Sequence, residues 1–360
     1  MRCVMVTNTP APYREPVHEA LSRYFDGDYH VVYAQRREAN RKWDLDDRLY
    51  SRSFLKENVI QYRGRYIHFN YDIWSELKKY DPNVVITTGF NPTFLLAFVW
   101  TQLHKKKHIC MTDGWLESER ELTLAHRILR RIVYKRSHAY IGASKHSLRL
   151  YEYYGCNEES LFQSHLCANN SYFERFKNEE KKFDIMFSGQ FIERKMPLFF
   201  AEVARNLYCK TGRCKALIIG SGPREKEFIG RLEEYGIDYT YAGFVDQRDL
   251  PKYYSAAKVF LFPTLSDPWG VVANEACSVG VPVITCNNAG VANDLIVHNY
   301  NGYILPLNTE MWSEYIISLI NDNDLYQQLS FNAISKVQEY NYESASQGII
   351  DAVLHAERGQ

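Results

Sequence analysis

Two acids eight residues apart, Asp267 and Glu275, mark the most chemically suggestive stretch of this chain, Thr264-Leu-Ser-Asp-Pro-Trp-Gly-Val-Val-Ala-Asn-Glu-Ala-Cys277. An apolar run, Lys258-Val-Phe-Leu-Phe262, precedes it, and another, Val281-Pro-Val-Ile-Thr285, follows. A strand that ends in a polar loop and opens a helix through Gly270 suits an anion and a sugar. The helix start turns N–H groups and the positive end of its dipole toward the anion, while carboxylates accept from hydroxyls. A surface loop with one helix-capping Asp has the same spacing, and spacing alone does not separate the two readings.

Three further constellations sit at strand-to-helix junctions. Ser188-Gly189-Gln190-Phe-Ile-Glu-Arg194-Lys195 places two adjacent cations after a strand, a fit for a diphosphate that Arg grips in a fork and Lys as a point charge. A solvated turn would look alike. Gly220-Ser-Gly222-Pro223 reads as a tight turn. Asp113-Gly-Trp115 ends another strand, where Asp113 would orient a hydroxyl or accept its proton, or else cap the next helix.

The elements that must position these groups alternate along the chain. In the first half, strands at 2–6, 30–33, 84–89, 108–112 and 138–144 are separated by helices from about Glu15, at 71–79, 94–103, 119–135 and 145–154; residues 37–58 read as an irregular surface excursion. Residues 169–182 lose periodicity and gain charge. Alternation then resumes, with strands at 184–188, 215–219, 239–241, 258–262 and 281–285, and a last amphipathic helix spans 342–357. The expected fold is α/β, with two Rossmann-like domains facing across a cleft and a C-terminal helix crossing back to the first. The expected boundaries are 1–170, a linker at 171–182, 183–338 and 339–360.

Bulk composition narrows the classes. At 360 residues the chain exceeds one ordinary core, and 43 basic residues balance 43 acidic ones, so no global field favours nucleic acid. The 27 Tyr and 19 Phe suit large cores first and carbohydrate stacking second. Eight cysteines without a CxxC pair or zinc-finger spacing read as reduced, buried small hydrophobes of a cytoplasmic protein. Met1–Val6 reads as a strand and not as a leader, and Phe94–Trp100 is too short to span a bilayer.

The order of these motifs is more specific than any one of them. The cations, GSGP, Gly243-Phe-Val245, the Asp267/Glu275 stretch, Val281-Pro-Val-Ile and Asn301-Gly302-Tyr-Ile-Leu-Pro306 together resemble the retaining glycosyltransferases of family 4, which have the two-domain GT-B architecture. The resemblance is dense over 184–306 and fainter at Ala11-Pro-Tyr-Arg14 and Asp81-Pro-Asn-Val-Val85. It implies transfer of a sugar from a nucleotide diphosphate sugar, UDP favoured, to a hydroxyl of a glycan or lipid-linked glycan, with retention and with neither metal nor cofactor. The resemblance makes Glu275 the ligand of the donor ribose and puts Asp267 on hydroxyls of the transferred sugar. It assigns backbone contacts to Val245, Gly270 and Val271 and the diphosphate to Lys195, helped by Arg194, and Gly189 joins them as a donor-binding residue. Asp113 stands by position near the reacting centre, with Arg194 and Lys195 as the catalytic cations, and Tyr13, Arg14 and Trp115 toward the acceptor.

Two positions depart from the family pattern: Gln190 replaces its usual Arg, and Asp267 its usual Glu. They make a non-catalytic nucleotide-sugar-binding partner conceivable, and an epimerase or hydrolase on the same fold is a second alternative. A PLP-dependent phosphorylase shares the fold, but such enzymes are usually much longer and no Lys here stands in a Schiff-base context. The segment around Arg127, Arg130, Arg131, Lys135 and Arg136 is a basic amphipathic helix, read either as a solvated face or as a contact for an anionic membrane surface on its cytoplasmic side.

Overall fold

The computed structural model describes residues 1–37, 49–62, 65–119 and 122–358. Its strands are β1 Cys3–Thr7, β2 Tyr29–Tyr33, β3 Ser51–Phe54, β4 Val59–Tyr62, β5 Arg65–His68, β6 Val84–Thr87, β7 Lys107–Thr112, β8 Ala139–Gly142, β9 Leu161–Gln163, β10 Phe183–Ser188, β11 Lys215–Ile219, β12 Asp238–Gly243, β13 Ala257–Phe262, β14 Val283–Thr285 and β15 Gly302–Ile304. They form a seven-stranded sheet of order β3-β2-β1-β6-β7-β8-β9, a six-stranded sheet of order β12-β11-β10-β13-β14-β15, and a β4-β5 hairpin. Every pairing in the two large sheets is parallel.

Parallel sheets bury both faces, which is why Val4, Val6, Val84, Val85, Ile185, Ile218, Val259 and Leu261 are almost fully enclosed. In each large sheet the strand order reverses beside the first strand, at β1/β6 and at β10/β13. Loops from neighbouring strands diverge there and leave a crevice at the strands' carboxyl ends.

The chain divides into two compact units, residues 1–166 with 342–360, and residues 167–341. The helix Tyr342–Arg358 therefore belongs to the first unit, where it packs on the helix Glu15–Tyr24 and on β8 and β9. Gly348 makes that approach possible, because a Cβ there would lie 1.8 Å from the Gln163 carbonyl oxygen.

The structure corrects several expectations. The stretch read as a linker, 171–182, lies in the second unit and overlaps the helix Asn170–Glu174, whose Phe173 is fully buried. Asn170 of that helix donates to the carbonyls of Val337 (2.9 Å) and Tyr340 (3.0 Å). Of the irregular excursion expected at 37–58, residues 38–48 lie outside the described residues, but 51–54 form β3, a paired edge strand. β9, β15 and the helices Thr309–Asn321 and Asn323–Val337 complete the sheets and layers and are absent from the sequence-based expectation. The aromatic surplus does go into cores: Phe187, Phe191, Phe200 and Phe228 pack mutually with centroids 5.2–6.0 Å apart. The cysteines are mostly buried as expected, but Cys209 is exposed and Cys156 half-buried.

Candidate functional site

In the second unit the chain leaves β10 through Ser188 and Gly189, forms a short 3-10 turn over Glu193–Lys195 and enters the helix Pro197–Thr211. The loop after β13 is tied to that turn. The Leu265 N–H (2.9 Å) and the Thr264 hydroxyl (3.0 Å) both donate to the Arg194 carbonyl. The tie brings the two cations onto one carboxylate. Lys195 Nζ donates to Asp267 Oδ2, and Arg194 donates to the same oxygen at 3.1 Å and to the Ser266 carbonyl at 2.6 Å. The other oxygen, Oδ1, accepts the Trp269 N–H at 3.2 Å. Asp267 is only 6% exposed. Burial works against its ionisation, but Lys195 and Arg194 outweigh that effect and hold its carboxyl below the usual carboxylate range.

Gly270 then turns the chain at φ +109°, where a Cβ would collide with the Phe262 ring at 2.3 Å. The helix Val271–Ser278 starts from it without a side-chain cap, so its first turn faces the strand ends with its own amides. Trp269 is fully buried and donates from Nε1 to Asn274 at 2.9 Å, which fastens the turn to the helix it opens.

Glu275 lies on that helix, 7% exposed. Burial pushes its carboxyl up to about 7; Tyr254, fully buried on the helix Leu250–Ser255, lies near it and offsets part of the effect. An enclosed carboxyl of this kind is suited to accepting from paired hydroxyls. Beyond it, Gly220 passes so close to Gly189 that a Cβ would sit 1.9 Å from the Gly189 oxygen, and its N–H donates to the Gly243 carbonyl at 2.8 Å. Val245 follows two residues later at the same edge. Gln190 is exposed.

The first unit has its own pocket, about 210 Å³, at the carboxyl ends of β1, β6 and β7. Asn8, Tyr13, Arg14, His18, Thr88 and Asp113 line it. Arg14 is held by hydrogen bonds to the Ser164 hydroxyl (3.1 Å) and the carbonyls of Ser164 and His165. Trp115 departs from its expected place: it is 4% exposed, sits edge-on to His146 with centroids 5.3 Å apart, and is not part of the lining. His18 gives no signal in the sequence, because its helix reads as an ordinary amphipathic one; burial takes its pKa down to about 3, and Nδ1 meets the Tyr29 hydroxyl at 2.8 Å.

The basic helix spans Leu124–Arg136. Arg130, expected on the outer basic face, instead pairs with Glu119 at 2.9 Å and stacks over Phe90 at 4.3 Å. The outer face carries Arg127, Arg131, Lys135 and Arg136 beside Leu124, Ile128 and Ile132, which are 73%, 48% and 42% exposed. Among the described residues no three His, Cys, Asp or Glu side chains converge as a metal site, and no helix is long and apolar enough to cross a membrane.

Residues 169–336 match the family model described as glycosyl transferases group 1. Over 145 residues the chain is 26% identical to an O-antigen chain mannosyltransferase of Escherichia coli, covering 39% of this chain and 38% of that one. The chain spans about a third of the length of the curated relatives it matches. Among solved structures, a glycosyltransferase from Rickettsia africae superposes with a TM-score of 0.76 at 16% identity, over 100% of this chain and 99% of that one. The HepE protein of Anabaena, solved with UDP, does so at 0.74 and 12% identity, over 98% and 100%. The fold is that of the GT-B glycosyltransferases.

The Glu275 carboxyl makes the empty protein sensitive to pH. Its pKa is raised in the folded state, so the protein loses stability as pH climbs from the unfolded value near 4.5 through about 7. Glu275→Gln removes that loss. Chemical unfolding should find the variant and the parent alike near pH 4.5 and the variant more stable by ~3 kcal/mol at pH 8. A stability difference that does not change with pH would refute the assignment.

Proposed function

We propose that the protein is a glycosyltransferase that moves a sugar from a nucleotide diphosphate sugar to an acceptor hydroxyl, with retention at the anomeric carbon and without a metal ion. The observation that carries the reading is the meeting of Lys195, Arg194, Asp267 and the helix start at Gly270 on the carboxyl edge of one parallel sheet, with Glu275 enclosed beside them. The match of residues 169–336 to glycosyl transferases group 1 supports it, since that span contains all five residues. UDP is the favoured base carrier, in keeping with the UDP held by HepE.

In this mechanism the second unit holds the donor. Glu275 accepts from the ribose hydroxyls, Asp267 faces hydroxyls of the transferred sugar, and Gly189, Val245, Gly270 and Val271 offer backbone groups to the base and phosphates. Negative charge grows on the departing diphosphate as the anomeric carbon becomes oxocarbenium-like. Lys195, Arg194 and the helix N-terminus stabilise that charge, which fixed cations do without reorganising. The pocket of the first unit takes the acceptor, a glycan or lipid-linked glycan, with Asp113 orienting its hydroxyl and Tyr13 and Arg14 shaping the walls. Lys195→Ala should lower turnover by ~10²–10³ in a transfer assay with radiolabelled UDP-sugars. Full activity in that variant would refute the assignment.

The same reading places the enzyme at the surface of an anionic membrane through the helix Leu124–Arg136. Three exposed aliphatic side chains at four-residue intervals lie beside Arg127, Arg131 and Lys135, and the helix has no acidic residue. An interfacial helix combines those properties, with each cation near an anionic surface contributing ~1 kcal/mol. The protein should co-sediment with phosphatidylglycerol-rich vesicles and not with pure phosphatidylcholine. Ile128→Glu combined with Arg131→Glu should abolish the binding, and unchanged binding in that variant would remove the helix from the contact.

A further inference from the structure

We propose that Asp267 is a resident counter-anion of Lys195 and Arg194 that competes with the phosphates of the ligand for both cations. The inference rests on the donor-site reading above and gives Asp267 a task beyond facing the sugar. Both cations converge on a single oxygen, Oδ2, with Arg194 at 3.1 Å. Two donors from an ammonium and a guanidinium on one oxygen are the arrangement that a phosphate oxygen finds in a diphosphate site.

The carboxylate has no freedom to leave. Its Oδ1 is held by the Trp269 N–H at 3.2 Å. The Asp267 main chain is clamped on both sides, its N–H donating to the Asn288 carbonyl at 3.0 Å and its carbonyl accepting from Gly290 at 2.7 Å. Gly290 permits the clamp, because a Cβ there would meet the Pro268 oxygen at 1.9 Å. The cations, in contrast, end long side chains, and that of Arg194 is 42% exposed. When a diphosphate arrives the cations move and the carboxylate stays. Its fixed charge then lies a few ångströms from the phosphates and opposes them. A Glu at this position would have one more methylene with which to swing clear, so the shorter Asp is what commits the negative charge to the phosphate position.

Asp267 therefore weakens the hold on a nucleoside diphosphate and so favours release of the product. Calorimetric titration of UDP, with GDP and ADP in parallel, into the full chain tests this. Asp267→Asn should bind its diphosphate at least tenfold more tightly than the parent, while affinity for the bare nucleoside is unchanged. In the Asp267→Asn, Lys195→Ala double variant the gain should shrink, because the competition for Lys195 is gone while the repulsion of the phosphates remains, and a merely structural role would not produce that coupling. Asp267→Glu, which keeps the charge, should tighten binding severalfold and serves if the Asn variant does not fold. Equal or weaker diphosphate binding in either single variant overturns the proposal and leaves the donor site standing. Absence of nucleoside diphosphate binding in the parent and the variants alike overturns the donor site itself.

Discussion

One carboxylate oxygen shared by an ammonium and a guanidinium is the contact on which the second unit's site depends. Lys195 and Arg194 come from the loop after β10 and Asp267 from the loop after β13, the two strands between which the sheet order reverses. Parallel pairing brings those loop origins side by side, and the reversal sends the loops apart and opens the crevice. The hydrogen bonds from Thr264 and Leu265 to the Arg194 carbonyl then fix their spacing. The ion pair is itself enclosed, with Lys195 15% and Asp267 9% exposed in their side chains, so removing one partner leaves a costly buried charge.

Around that contact the site divides its electrostatics. Asp267 stays ionised because two cations outweigh its burial, whereas Glu275, eight residues on, has burial with only a tyrosine to oppose it and rises to about 7. Two acids on one short stretch thus differ in surroundings, one set between two cations and the other buried beside a tyrosine. The glycines at 220, 270 and 290 belong to the same design, since each lets a backbone pass where a methyl group would collide.

What the sequence disclosed of this arrangement was its loops more than its frame. Motifs at strand ends are short and local, so Arg194-Lys195 and the stretch from Asp267 to Glu275 were visible as types and spacings, and the structure brings Asp267 onto both cations. The partner that tunes Glu275 was not: Tyr254 comes near it only through the packing of separate elements. Edge strands escaped for a related reason. Ser51-Arg-Ser-Phe54 and Leu161-Phe-Gln163 lack the apolar runs of central strands, and their pairing is supplied by a neighbour. The helix at 170–174 was hidden by the charged residues after it, although Asn169 caps it and Phe173 anchors it. The pair of helices ending at Val337 did carry legible caps, Asn308 and Asp322, each accepting from an amide three residues on at 3.0 Å. Arg130 shows the limit of charge patterning, because its Glu119 partner lies in the preceding turn and draws it inward.

The central claim is that a nucleoside diphosphate binds at the carboxyl ends of the second unit's strands. Amide hydrogen exchange of the full chain, with and without UDP at saturating concentration, tests it directly. The account predicts slowed exchange at 188–196, 219–222, 243–246 and 264–275, the loops that follow β10 to β13. Exchange unchanged in those four segments, or slowed only elsewhere in the chain, would contradict it.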